Sequence, residues 1–143
     1  MYDLMIIGSG PAGISAALTA KARNLNFIWF GSRALSTKIE KAEKIMNYPG
    51  LPAVTGSEMQ SVFLKQIDDC GITITESQVN SIYDCGGYFA AGADNEIYEA
   101  KAVIMTVGMT TTREIEGEAR LLGCGVSYCA TCDGALYKNM CIT

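Results

Sequence analysis

Leu4-Met5-Ile6-Ile7-Gly8-Ser9-Gly10-Pro11-Ala12-Gly13 is the stretch on which the fold of this chain turns. Its first four residues are a continuous apolar run, the pattern of a strand buried on both faces. Three glycines follow at the spacing G-x-G-x-x-G, and an alanine-rich segment reaching to about Arg23 then reads as a helix. A strand before and a helix after are the context that a dinucleotide fingerprint requires. In that motif Gly8 permits the tight turn, Gly10 lets a pyrophosphate approach the backbone, and Gly13 lets helix and strand pack closely. The helix N-terminus, where Ser9, Pro11 and Ala12 sit, offers amides and partial positive charge to the phosphate. Phe27-Ile28-Trp29-Phe30 is a second buried strand and closes a βαβ unit.

A glycine-rich turn without a ligand is the competing reading, and the flanking strand and helix weigh against it. The fingerprint alone does not separate FAD from NAD. It also expects an acid at the end of the second strand to hold the ribose. Gly31 stands there, with neither Asp nor Glu beside it. The ribose is therefore expected to be held by other means, through Ser32 or backbone groups.

Further along, the charged stretch at 38–44 reads as a short solvated helix. Thr55 and Glu58 have capping-box spacing ahead of an amphipathic helix. In that helix Met59, Val62, Phe63, Ile67 and Cys70 recur at helical intervals and are expected to face the core. Gly71 is its expected stop. Residues 72–75 read as a strand, and three short strands at 78–83, 88–91 and 96–98 read as a β-meander. Asp84-Cys85-Gly86-Gly87 and Asp94-Asn95 supply its turns. Residues 102–106 read as one more buried strand, ending at Gly108. Beyond it, 110–123 is polar and irregular, as in a linker. Asn139-Met140-Cys141-Ile142-Thr143 looks like the beginning of a new strand, so the chain reads as the front part of a longer protein.

The 143 residues suit one ordinary domain, and the net charge of −4 disfavours nucleic acid or an anionic membrane as a partner. No apolar run approaches the roughly 20 residues of a membrane helix. There is no basic leader ahead of the first strand, so the expected location is the cytoplasm. Six cysteines in such a chain point to redox or metal use rather than to structural disulfides. Histidine is absent, so proton transfer falls to Asp, Glu, Lys, Tyr or Cys.

Cys129-Ala130-Thr131-Cys132-Asp133-Gly134 is the second constellation. Two residues between cysteines allow a reversible disulfide with one sulfur exposed. Asp133, the only charged residue in the motif, is the natural proton donor and acceptor for a leaving thiolate. Three other readings stand beside this one. A zinc site would need four ligands, and neither a second CxxC nor any His is present. Cys124, Cys129 and Cys132 match the first three ligands of a plant-type iron–sulfur site, with Cys141 as the fourth. The pair could also be two buried thiols. No metal is expected.

Taken in order, the fingerprint, Asn47-Tyr48-Pro49-Gly50, Thr106-Val107-Gly108 and the run from Gly125 through Cys129 and Cys132 to Gly134 resemble thioredoxin reductase of the small bacterial type. The resemblance runs the whole length of the chain. It implies a two-domain FAD enzyme that passes electrons from a reduced nicotinamide through flavin to the disulfide, and on to thioredoxin. It implies that Cys132 lies beside the flavin, that Cys129 attacks the partner's disulfide and that Asp133 is the acid–base group. Asn47 would reach the flavin region and Val79 would contact the adenine end through its backbone. Gly31, Ser32, Lys38, Thr106 and Gly108 complete the expected cofactor-binding set. The family also implies a homodimer.

Two stretches depart from the family pattern. Ser36-Thr37-Lys38-Ile39 replaces the usual Gly-Gly-Gln-Leu, and Thr106-Val107-Gly108 replaces Ala-Thr-Gly. The stretch at 36–44 is similar to a form in anaerobic bacteria that takes electrons from ferredoxin rather than NADPH. The nicotinamide fingerprint, and with it the NADPH site, would lie beyond Thr143.

The expected fold class is therefore α/β: a Rossmann-like FAD-binding domain, with a parallel sheet and β-meander crossover, plus the start of a second nucleotide-binding-type domain. The FAD domain spans 1–110 without its C-terminal segment. Residues 111–143 form a linker and the start of the redox domain that carries CxxC. The expected function is flavin-dependent reduction of a protein disulfide such as thioredoxin, with NADPH or ferredoxin as donor. The 143 residues by themselves are expected to lack turnover. The alternative is a non-catalytic FAD-binding or metal-binding module in which the cysteines are structural.

Overall fold

The computed structural model describes residues 1–108, 116–121, 124–126 and 134–141. The opening apolar run forms β1 (Tyr2–Ile7), and both its neighbours are parallel to it. On one side lies β2 (Phe27–Phe30), with Leu4 opposite Phe27 and Ile7 opposite Phe30. On the other lies β5 (Glu96–Met105), with Tyr2 opposite Ala100 and Ile7 opposite Met105. The antiparallel strands β4 (Phe89–Ala93) and β3 (Val79–Asp84) extend the same sheet, giving the order β2-β1-β5-β4-β3. A strand with a parallel neighbour on each side has both faces available for burial, so Met5 and Ile6 are both fully buried.

The two faces carry two cores. On one, Leu4, Ile6 and Trp29 pack against α1 (Pro11–Ala22) and α3 (Gly56–Asp69) through Ile14, Ala17, Met59, Phe63 and Ile67. On the other, Met5, Ile7, Ile28 and Phe30 meet Ala91, Ala93 and Ala100 of the meander strands. Phe30 and Tyr98 stack edge to face there, with ring centroids 5.0 Å apart.

α3 shows how local signals and packing divide the work. Thr55 and Glu58 form the reciprocal capping box, and Gly71 (φ +59°) ends the helix. The amides of Gly71 and Ile72 return to the carbonyls of Asp68 and Ile67, a Schellman stop. A cap is worth about 1 kcal/mol, whereas each of the three buried side chains Met59, Phe63 and Ile67 contributes about 1.5–3 kcal/mol. Packing holds the helix and capping sets its ends.

The structure differs from the sequence reading at several elements. Residues 72–75 do not form a strand: Thr75 makes a single parallel bridge with Phe30 at the edge of β2. The expected strands at 96–98 and 102–106 are one continuous β5. That strand is not buried over its second half: Ala102 and Ile104, opposite Leu4 and Ile6, are exposed, and so is Met105, opposite Ile7 on the other face. Val62 also faces outward, and Cys70 is only partly buried. The charged stretch yields just one helical turn, α2 (Thr37–Glu40). Within the linker, Glu118–Leu121 forms a short helical turn, α4. Met140 lies in a turn after the 3-10 segment Gly134–Tyr137, its amide donating to the Tyr137 carbonyl, and the rest of the expected strand, Ile142 and Thr143, lies outside the described residues.

Candidate functional site

β1 runs directly into the glycine turn, and three neighbours lock that turn. The Gly8 amide donates to the Phe30 carbonyl (2.8 Å). The Gly8 carbonyl accepts from Trp29 Nε1 (2.8 Å) and from Thr106 Oγ1 (3.0 Å). Gly8 has φ +112°, and a Cβ there would collide with the Thr106 carbonyl. A Cβ on Gly13 would collide with the Gly8 carbonyl in turn, so Gly13 serves the contact between α1 and β1. Gly10 is different. It caps α1 with Pro11 behind it, and among the described residues no atom lies within 4 Å of where its Cβ would stand. The Ala12 and Gly13 amides lie in the first turn, where no intrahelical carbonyl is available to accept from them.

Trp29 was read from sequence only as a strand residue. Its indole N–H is a structural tie to the fingerprint, and a buried Trp requires such a partner.

An open cleft of about 880 Å³ lies at this end of the sheet. It falls within the roughly 300–1,000 Å³ of small-molecule and cofactor sites. Of the expected cofactor residues, Gly8, Ser9, Gly10, Pro11, Ala12, Gly31, Ser32, Lys38, Val79, Thr106 and Gly108 line it. Gly13 lies behind the lining, and Asn47 is exposed outside it. Cys129, Cys132 and Asp133 fall outside the described residues. Among the described residues there is no cluster of three or more metal-ligating side chains, and no helix is long and apolar enough to cross a membrane.

The far wall of the cleft is the loop after β2. Ser9 Oγ donates to the Leu35 carbonyl and accepts from the Ser32 amide, both at 3.0 Å. A hydroxyl has one proton, so Ser9 has none left to donate to a ligand. Arg33 is likewise occupied: its guanidinium holds Asp68 of α3 at 3.0–3.1 Å through both nitrogens. Among the described residues Lys38 and Glu76 are the ionisable ones in the lining, one cation and one anion. Sequence reasoning missed Glu76. The available signal was its position just past the expected strand at 72–75.

The open glycine face, the helix N-terminus and a lysine suit a diphosphate, and the cleft is large enough for a nucleotide. Residues 2–141 match the family model of pyridine nucleotide-disulphide oxidoreductases. The chain belongs to this family. A Bacillus subtilis thioredoxin reductase is 32% identical over 97% of this chain, which spans 44% of that protein. A ferredoxin-flavin thioredoxin reductase from Clostridium acetobutylicum is similar in structure, with a TM-score of 0.76 and 48% identity. It is matched over 95% of this chain and 47% of its own. The thioredoxin reductase of Streptococcus pyogenes superposes with a TM-score of 0.81 at 35% identity, over 96% of this chain and 45% of its own. The chain thus spans about half the length of the relatives it matches. As a pyridine nucleotide-disulphide oxidoreductase chain it has the Rossmann-like α/β fold expected from Leu4–Gly13 and the strand after it, on a mixed five-stranded sheet.

Proposed function

We propose that this chain belongs to a flavin-dependent disulfide reductase of thioredoxin reductase type, with FAD in the cleft beside Gly8–Gly13. The observation that carries the reading is Gly10: an unobstructed backbone at the N-terminus of a twelve-residue helix, facing a cleft with one lysine. The Ala12 and Gly13 amides bind the pyrophosphate, with Lys38 balancing its charge. The Val79 backbone takes the adenine end, and Thr106 and Gly108 form the floor. Asn47 acts toward the flavin end from outside the described lining. Bound FAD supplies the chemistry that relays two electrons from a donor to a disulfide.

Reduction of the Cys129–Cys132 disulfide consumes two electrons and two protons and leaves two thiols. The Cys129 thiolate attacks the partner's disulfide, and one partner sulfur leaves as a thiolate. Asp133, which takes the proton of the Cys129 thiol, passes it to that sulfur. Cys132 then displaces the partner, its proton going to the second partner sulfur, which restores the intramolecular disulfide and releases a dithiol. The partner is thioredoxin or a similar protein, and the enzyme is a cytoplasmic homodimer. The donor is ferredoxin or NADPH, and the 48% identity with a ferredoxin-flavin thioredoxin reductase favours ferredoxin. Similarity to disulfide reductases along the whole chain favours this reading over a module with structural cysteines.

Heating the purified protein and chromatographing the released cofactor tests the flavin reading. FAD is the expected product; FMN alone, or no flavin from folded protein, would overturn it. Alkylation of the reduced protein, mapped by peptide mass, tests the cysteine roles. Cys129 is expected to react faster than Cys132, and equal rates would contradict the assignment.

A further inference from the structure

The fingerprint usually places its ribose-holding acid at the tip of the second strand, and here that position cannot carry a side chain. A Cβ on Gly31 would lie 2.5 Å from Ser9 Cβ and 2.8 Å from Ser9 Oγ. Ser32, the other candidate, lines the cleft with its amide donating to Ser9 and its hydroxyl accepting from the Ala34 amide at 3.1 Å, and it carries no charge.

A carboxylate nevertheless arrives at this level from the next segment of chain. Thr75 runs parallel beside β2, its amide donating to the Trp29 carbonyl (2.7 Å) and its carbonyl accepting from the Gly31 amide (3.1 Å). The residue after Thr75 is therefore level with the tip of β2. That residue is Glu76, which lines the cleft. Its Oε1 accepts from the Arg33 amide at 2.8 Å, which fixes the carboxylate to the loop that follows the strand. An ionised carboxylate has about four acceptor sites, so this bond leaves capacity for a ligand's hydroxyls. Among the described residues of the lining it is the anion, while Lys38 is the cation.

We propose that Glu76 holds the adenosine ribose hydroxyls of the bound dinucleotide, replacing the strand-tip acid that Gly31 excludes. This rests on the FAD reading above. A hydroxyl donating to a carboxylate makes a charge-assisted bond, and losing such a bond weakens binding by about tenfold or more.

The test uses FAD and two synthetic analogues lacking the adenosine 2′- or 3′-hydroxyl. Affinities for apoprotein prepared from the holoenzyme are read by quenching of flavin fluorescence. Wild-type protein is expected to bind at least one analogue about tenfold or more weakly than FAD. Glu76→Gln keeps an acceptor for the Arg33 amide, and Glu76→Ala removes it. In both variants the preference for FAD over the analogues should fall to about twofold or less, as expected when the charged partner is lost. If the wild type does not discriminate, or if both variants discriminate as it does, Glu76 is not the ribose ligand. Wild-type protein that fails to discriminate overturns the proposal even if one variant misfolds, and the other variant then carries the assignment to Glu76. Failure of wild-type apoprotein to take up FAD at all would instead overturn the cleft reading, and this proposal with it.

Discussion

Ser9 stands where a side chain on residue 31 would have to go, its Cβ 2.5 Å from the Cβ that an alanine at position 31 would carry. One small side chain thus explains why the strand tip is glycine, and its hydroxyl ties the loop at Ser32 and Leu35 to the fingerprint. Gly31→Ala should destabilise the apoprotein by about 1–3 kcal/mol, as overpacking a tight site does. Gly31→Glu, which restores the missing acid in name, should cost more and should not improve flavin uptake. Urea midpoints and flavin content check both. An unchanged midpoint in Gly31→Ala would show that the two residues do not compete for space.

Ser9→Ala removes both hydrogen bonds while leaving the Cβ. The Leu35 carbonyl and the Ser32 amide lose a partner at a buried position, so a loss of about 1–3 kcal/mol is expected. In the double variant Ser9→Gly with Gly31→Ala, the clash is relieved but the tie is gone. Its loss should be smaller than the sum of the two single losses, since residues in contact do not add. Strict additivity in a denaturation cycle would contradict the shared-space account.

The fingerprint glycines should separate packing from binding. A methyl on Gly13 meets the Gly8 carbonyl, so Gly13→Ala should lower the stability of the apoprotein. A methyl on Gly10 meets no atom of the described residues within 4 Å. Gly10→Ala should therefore fold with a loss of under about 1 kcal/mol, the scale of an altered N-cap, while FAD affinity falls sharply. Thermal unfolding of apoprotein beside flavin titration distinguishes the two. A Gly10→Ala protein that binds FAD normally would remove the main support for the cleft reading.

The βαβ start, the helix caps and most of the cleft lining were legible because each depends on signals a few residues apart. Gly8 makes the tight turn and Gly13 the close helix–strand contact that their spacing implies, and Thr55 with Glu58 closes the capping box. What escaped depends on long-range pairing. β5 was read as two strands because Glu99 and Lys101 interrupt its apolar pattern. Ala100 between them is paired on both edges, to Tyr2 of β1 and to Phe89 of β4. Lys101 also has a partner, Asp3 at 2.7 Å, so the polar residues are part of the sheet rather than a break in it. Glu76 escaped for the same reason: no local pattern says that Thr75 will lie beside Phe30.

Acid should expose two carboxylates that differ in kind. Glu58 is held below the ordinary glutamate value of 4.5, first by the Thr55 amide and then by the Thr55 hydroxyl. Asp3 is held below 3.8, first by the hydrogen bond from Lys101, then by the Asn26 amide and the Lys101 charge. A depressed folded pKa means that the unfolded chain takes up the proton more readily. The stabilisation is therefore fully present above the ordinary value and is lost as pH falls through the folded one. Glu58→Gln and Asp3→Asn should each lower stability near neutral pH, and each difference from wild type should shrink on acidification below that window. Salt separates them. Asp3 faces a charge across an exposed pair, so its contribution should fade as ionic strength rises. The immediate partners of Glu58 are a neutral amide and hydroxyl, so its contribution should persist. Denaturation curves for the two variants at low and high salt, each across pH 3 to 7, read both effects. Equal salt sensitivity would show that Glu58 acts through long-range charge rather than through its capping bonds to Thr55.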